Sequence, residues 1–138
     1  MTNPTGFSYC PANATERERN GLPYVPIVLI YQARSIAVNG LLDTGAAINV
    51  LPYSLGQQLG LIWEEQPLLE KLSGNLASFE SRGARLAGMV EPFSPVPLVF
   101  AWTKSNSIPL ILGQANFFQT FQVCFDGSDQ IFTTVPKC

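Results

Sequence analysis

The chain has 138 residues, 46% of them hydrophobic and only 13% charged, with a formal net charge of −2. Such a length is that of one domain, and the apolar share suffices for a core, which excludes a largely disordered chain. The weak charge balance leaves no basic footprint for nucleic acid and no polybasic patch for an anionic membrane. The absence of histidine removes Ser-His and Cys-His nucleophilic systems and the commonest metal ligand.

Nine Phe, four Tyr and two Trp, with eleven Pro and eleven Gly between short apolar runs, predict a mainly β chain. No apolar run reaches the roughly 18 to 20 residues that cross a bilayer, and the opening "MTNPTGFSYCPANATERERN" lacks the apolar core of a signal peptide. Cys10, Cys124 and Cys138 are widely spaced and odd in number, so free thiols and a cytoplasmic location are expected.

Residues 1–22 are polar and without period, and read as a partly mobile arm ahead of a domain over residues 23–138. From Pro23, the apolar positions Val25, Ile27, Leu29 and Tyr31 alternate, break near Gln32 to Ser35, and resume with Ile36 and Val38. This predicts a β-hairpin leading into a third strand that ends at Asp43. "SLGQQLGL" offers Ser54 as an N-cap, Leu55 and Leu59 at helical spacing and Gly60 as a C-cap, giving one short helix.

Further on, Ser73-Gly74-Asn75 is a turn signal between two moderately apolar arms, a second hairpin projecting from the body. "VPLVFAW" and "IPLILG" read as buried strands, the second ending at Gly113. Phe117, Phe118 and Phe121 are expected to point into the core from a helical turn or two. "QVCFDGSDQIFTTV" predicts a hairpin around Asp126 to Asp129, with turn roles for both aspartates and Cys124 as a small buried hydrophobe.

One stretch carries chemistry: "GLLDTGAAINVLP", from Gly40 to Pro52. Asp43 ends an apolar strand, and Thr44, Gly45 and Ala46 form a small-residue turn that lets other backbone come close. A carboxylate so flanked is expected to be desolvated or paired, both of which are enriched at functional sites. No other carboxylate lies near it in sequence, so a metal site is not expected, nor is any cofactor. Most acid/base mechanisms built on carboxylates need two of them, and this stretch supplies one.

The sequence "LLDTGA" followed by "INVLP", and much later "PLILGQANFF", resembles the retropepsin-like family of aspartic proteases over roughly residues 24–135. The resemblance implies a closed, β-barrel-like acid protease fold with one short helix and a flap hairpin whose tip is Ser73, Gly74 and Asn75. It implies a homodimer in which each chain gives one Asp43 to a shared site, hydrolysing peptide bonds in an extended peptide or protein substrate through activated water. Thr44 would brace the two loops across the axis, with Gly45 beside it. Ala46, Ala47 and the flap tip would hold substrate. Viral members commonly carry an Asp at the position of Ala47 and an Arg at that of Gln114; here both partners of that pair are replaced, so no buried charge is stranded. The replacement leaves as the alternative a noncatalytic peptide-binding or dimerisation module of the same fold.

Overall fold

The computed structural model describes residues 3–69 and 80–137. Its strands in chain order are β1 (Thr5–Ser8), β2 (Tyr24–Tyr31), β3 (Arg34–Leu42), β4 (Asn49–Leu51), β5 (Ser81–Met89), β6 (Val96–Thr103), β7 (Ile111–Leu112), β8 (Phe121–Asp126) and β9 (Ile131–Pro136). Two short helices, α1 (Tyr53–Gln58) and α2 (Phe117–Thr120), and 3₁₀ turns at Glu16–Glu18 and Trp63–Glu65 complete it. The mainly β expectation holds. Strands β2-β3-β7-β4-β6-β5 close into a barrel, and β1-β9-β8 make a separate three-stranded sheet. Among the described residues no helix is long and apolar enough to cross a membrane.

The alternation in β2 buries Val25, Ile27 and Leu29 on the barrel's inner face. A two-residue turn, Gln32-Ala33, returns the chain, and Gln32 takes the left-handed φ of 52° that such a turn requires. The expected third strand is the far half of β3: pairing with β2 continues without a break from Tyr31↔Arg34 to Tyr24↔Leu41. Gly40 permits this, since a Cβ there would stand 2.6 Å from Leu112 Cδ1 on the adjoining strand. The barrel closes where Val28 to Ile30 pair with Met89 to Ala87 of β5.

Helix α1 begins at Tyr53, one residue before the expected cap at Ser54, and its N-cap is Pro52. The Ser54 N–H is instead satisfied by Asn106 Oδ1 at 2.9 Å, from the loop after β6. Gly60, with φ of 87°, ends the helix as expected. The helix lies on Trp102, a fully buried ring that donates Nε1–H to Tyr53 O at 3.1 Å and packs edge-on against Trp63.

Part of the polar opening segment is a strand. Thr5 to Ser8 pair antiparallel with Thr134 to Ile131 of β9, and Phe7 stacks on Phe132 with ring centroids 5.3 Å apart. Four residues with one apolar side chain to bury leave too short a pattern to read as a strand. Cys124 also differs from expectation: it is exposed, because Phe121 and Val123 take the core-facing positions of β8 and Cys124 falls on the alternate face. Phe117 and Phe121 are buried and stacked at 4.7 Å, with Phe118 half-buried beside them. Asp126 Oδ1 accepts the Asp129 N–H at 3.2 Å, the turn role expected of that pair.

Candidate active site

Asp43 stands one residue past the end of β3, where the backbone leaves the barrel. β3 is held there by parallel pairing with β7, Leu41↔Ile111 and Leu42↔Leu112, and the Asp43 N–H continues the ladder to Leu112 O at 3.0 Å. The chain then turns sharply. The Ala46 N–H returns to Asp43 O at 3.1 Å, and the Gly45 N–H donates to Asp43 Oδ1 at 3.0 Å, an Asx turn that fixes the carboxylate's direction. Asp43 is half-buried and Thr44 and Gly45 are exposed, so the loop presents itself outward.

The loop is strapped to the second signature. Gln114 N–H donates to Ala46 O and Ala115 N–H to Ala47 O, both at 2.9 Å, and Asn49 N–H donates to Ala115 O at 3.0 Å. Gly113 fits beneath it because it lacks a side chain: a Cβ would meet Ile48 O at 2.5 Å and Ala46 O at 2.7 Å. The sequence motifs "LLDTGA" and "ILG" are therefore two halves of one hydrogen-bonded unit. Gln114, at the position where the family resemblance implies Arg in viral members, donates its side-chain Nε2–H to Thr44 O at 2.9 Å. The replaced pair thus does not leave the loop untied.

Two asparagines that the motif reading did not single out complete the support. Asn49 is fully buried; its Oδ1 accepts the Gly113 N–H at 2.7 Å, and its Nδ2 donates to Val99 O at 2.9 Å and Asn116 Oδ1 at 3.1 Å. Asn116 Oδ1 also accepts the Val99 N–H at 3.0 Å, and its Nδ2 donates to Pro97 O at 3.1 Å. The one signal in sequence is an amide set among apolar residues in "INVLP".

Of the expected site residues, Asp43, Thr44, Gly45, Ala46 and Ala47 form this loop, while Ser73, Gly74 and Asn75 lie outside the described residues. The described residues on either side of them bond to each other: Leu69 N–H donates to Ser81 O at 3.1 Å and Gly83 N–H to Pro67 O at 2.8 Å. A cleft of about 500 Å³ is lined by Ile48, Pro67, Leu69, Gly83, Val99 and Ala101, with no residue of 43–47 among its walls. Among the described residues, no group of three or more His, Cys, Asp or Glu is placed to hold a metal ion. No side chain among them bonds the Asp43 carboxylate, whose one hydrogen bond is that from Gly45.

A barrel with an Asp-Thr-Gly loop at the end of one strand, strapped to an apolar-Gly strand, is the fold of the retropepsin-like aspartic proteases. The solved structures say the same. The chain is similar to a retropepsin-like aspartic protease from Rickettsia conorii, at TM-score 0.67 and 12% identity over 98% of this chain and 100% of that one. It is similar to EIAV protease, solved with the inhibitor HBY-793, at TM-score 0.55 and 17% identity over 70% of this chain and 85% of that one. It is similar also to the retroviral protease-like domain of Ddi1 from Leishmania major, at TM-score 0.58 and 15% identity over 76% and 81% of the two chains. No protein-family model matches the sequence, and no curated protein is significantly similar to it.

Proposed function

We propose that this chain is an aspartic endopeptidase that works as a homodimer, each copy giving one Asp43 to a shared acid/base pair. The observation that carries this reading is Asp43 itself: a half-buried carboxylate, aimed by the Gly45 N–H, on a loop strapped to Gly113 and Gln114 at the end of a retropepsin barrel strand. One chain supplies one such carboxylate; a second copy across a two-fold axis supplies the other.

Two carboxylates at close range cannot both ionise cheaply, so the pair shares one proton, as is general for aspartic proteases. The ionised member takes a proton from water, and the resulting nucleophile adds to the peptide carbonyl carbon. The protonated member gives its proton to the carbonyl oxygen. Collapse of the tetrahedral intermediate breaks the C–N bond as the amine nitrogen receives a proton from the pair, and no covalent enzyme intermediate forms.

Thr44 braces the partner loop, and the small side chains of Ala46 and Ala47 let an extended peptide lie close to the loop. Ser73, Gly74 and Asn75 contribute to binding that peptide. The cleft beside Ile48, Val99 and Ala101 suits an apolar substrate side chain, as strand-like recognition places alternate side chains in such pockets. The free thiols of Cys10 and Cys124 fit a cytoplasmic setting.

The test is Asp43→Asn, assayed on an unfolded protein substrate at mildly acid pH. Loss of an acid/base group costs about 10²- to 10⁴-fold in rate, so cleavage should fall at least 100-fold while the melting temperature stays near that of the parent. Undiminished cleavage by the purified variant would refute the reading.

A further inference from the structure

β3 is nine residues long, yet on the side away from β2 it pairs only at Leu41 and Leu42, because β7 has two residues. Pro109, just upstream of β7, has no N–H with which to continue that pairing. The register shows which backbone groups are left over. Leu42 N–H points toward β2 and donates to Pro23 O at 2.9 Å, whereas Leu41 N–H points the other way and donates to Leu110 O at 2.8 Å. By the two-residue period of a strand, Asn39 and Ala37 present their N–H and C=O groups on the same side as Leu41. Among the described residues none of these groups is hydrogen-bonded, and the buried Asn39 also has its side-chain Oδ1 without a partner. Ala37 and Asn39 line a cavity of about 530 Å³ whose other walls include Leu22, Leu55, Leu110 and Arg17. Arg17 is exposed and donates Nη2–H to Ser107 O at 3.1 Å, with no carboxylate paired to it among the described residues. Glu18, the one acidic residue of the lining, already has Oε1 on Thr15 N–H and Asn39 Nδ2, both at 2.9 Å.

We propose that this groove binds an extended peptide segment, which adds to the open edge of β3 as a further strand and sets an acidic side chain against Arg17. An unpaired strand edge recruits another strand, and here it is neither short nor blunted by proline or charge between Ser35 and Leu42. Main-chain bonds to Ala37 and Asn39 supply the affinity, and alternate side chains of the peptide meet the leucine walls, as in strand addition generally. The inference goes beyond the shared-carboxylate reading and does not depend on it, since no residue of the Asp43 loop lines the groove.

The probe is an end-blocked, fluorescent peptide, Val-Thr-Val-Asp-Val-Thr, titrated by anisotropy into the full chain carrying Asp43→Asn, which keeps the peptide uncut. Saturable binding with a Kd below about 1 mM is expected. Methylating alternate amide nitrogens along one edge of the peptide should weaken binding at least about tenfold, and along the other edge should not, because an added strand pairs through one edge. Ala37→Pro removes an N–H that β2 does not use, a place where a strand tolerates proline. It should likewise weaken binding at least about tenfold, with an unchanged circular dichroism spectrum. Arg17→Glu should reverse the preference between the Asp peptide and its Lys counterpart. Absence of saturable binding, equal losses from the two methylated forms, a Kd unchanged by Ala37→Pro or a preference unchanged by Arg17→Glu overturns the proposal. Should Ala37→Pro not fold, the methylated peptides and Arg17→Glu decide the matter. Self-association that Ala37→Pro abolishes, with no peptide bound by the parent, makes the occupant a second copy and also overturns it. Failure of the shared-carboxylate reading shows separately, as cleavage that survives Asp43→Asn.

Discussion

Asn49 is fully buried, and both polar atoms of its side chain are engaged, with Gly113 N–H on one side and Val99 O and Asn116 Oδ1 on the other. Replacing it with Leu, similar in shape, would orphan the Gly113 N–H directly under the Asp43 loop. A buried donor left without its partner costs about 1–3 kcal/mol. Asn49→Leu should therefore lower the denaturant midpoint by the equivalent amount, and reduce cleavage more than a comparable loss of stability elsewhere, because the loop loses its floor. A midpoint unchanged from the parent would show that the amide is dispensable. Asp43 and Gly113 could be found from sequence because each sits in a compact motif whose residue types are chemically constrained. Asn49 could not: its partners Val99, Gly113 and Asn116 are distant in sequence, and only the fold assembles them.

At the scale of elements, the strands that bury one face were readable from alternation. β2 and β6 place Val25, Ile27, Leu29 and then Leu98, Phe100, Trp102 inward at every second position. β1 escaped because a single Phe7 carries its burial, and the start of α1 because Asn106, from another loop, does the capping. The helix gives a prediction in which two effects oppose each other. Gly56→Ala would ordinarily favour a helix by about 0.8–1.0 kcal/mol. Here the new Cβ would fall within the Trp102 indole, a ring held by Tyr53 O, stacked on Tyr53 at 5.6 Å and edge-on to Trp63 at 5.0 Å. Overpacking a fixed core costs about 1–3 kcal/mol, which outweighs the propensity gain. Gly56→Ala should melt at a lower temperature than the parent in calorimetry; a higher melting temperature would show that Trp102 can move aside.

For the whole molecule, the barrel carries the Asp43 loop, and the β1-β9-β8 sheet is separate from it in strand pairing while Phe121 and Phe132 join the same core. The barrel was foreseeable from the family motifs and the β8–β9 hairpin from its turn residues, but the addition of β1 was not, since it comes from the opposite end of the sequence. A shared site predicts concentration dependence. Specific activity per chain should fall on dilution, following the dimer fraction measured in parallel by sedimentation; activity that stays constant while the dimer dissociates would contradict a pair of Asp43 residues.

The pairing of Thr5 with Thr134 has a consequence in time. The β2–β3 hairpin can form as soon as its residues leave the ribosome, whereas β1 has nothing to pair with until β9 has been made, and long loops close late. The two ends of the described chain are thus joined after the barrel strands between them have been made.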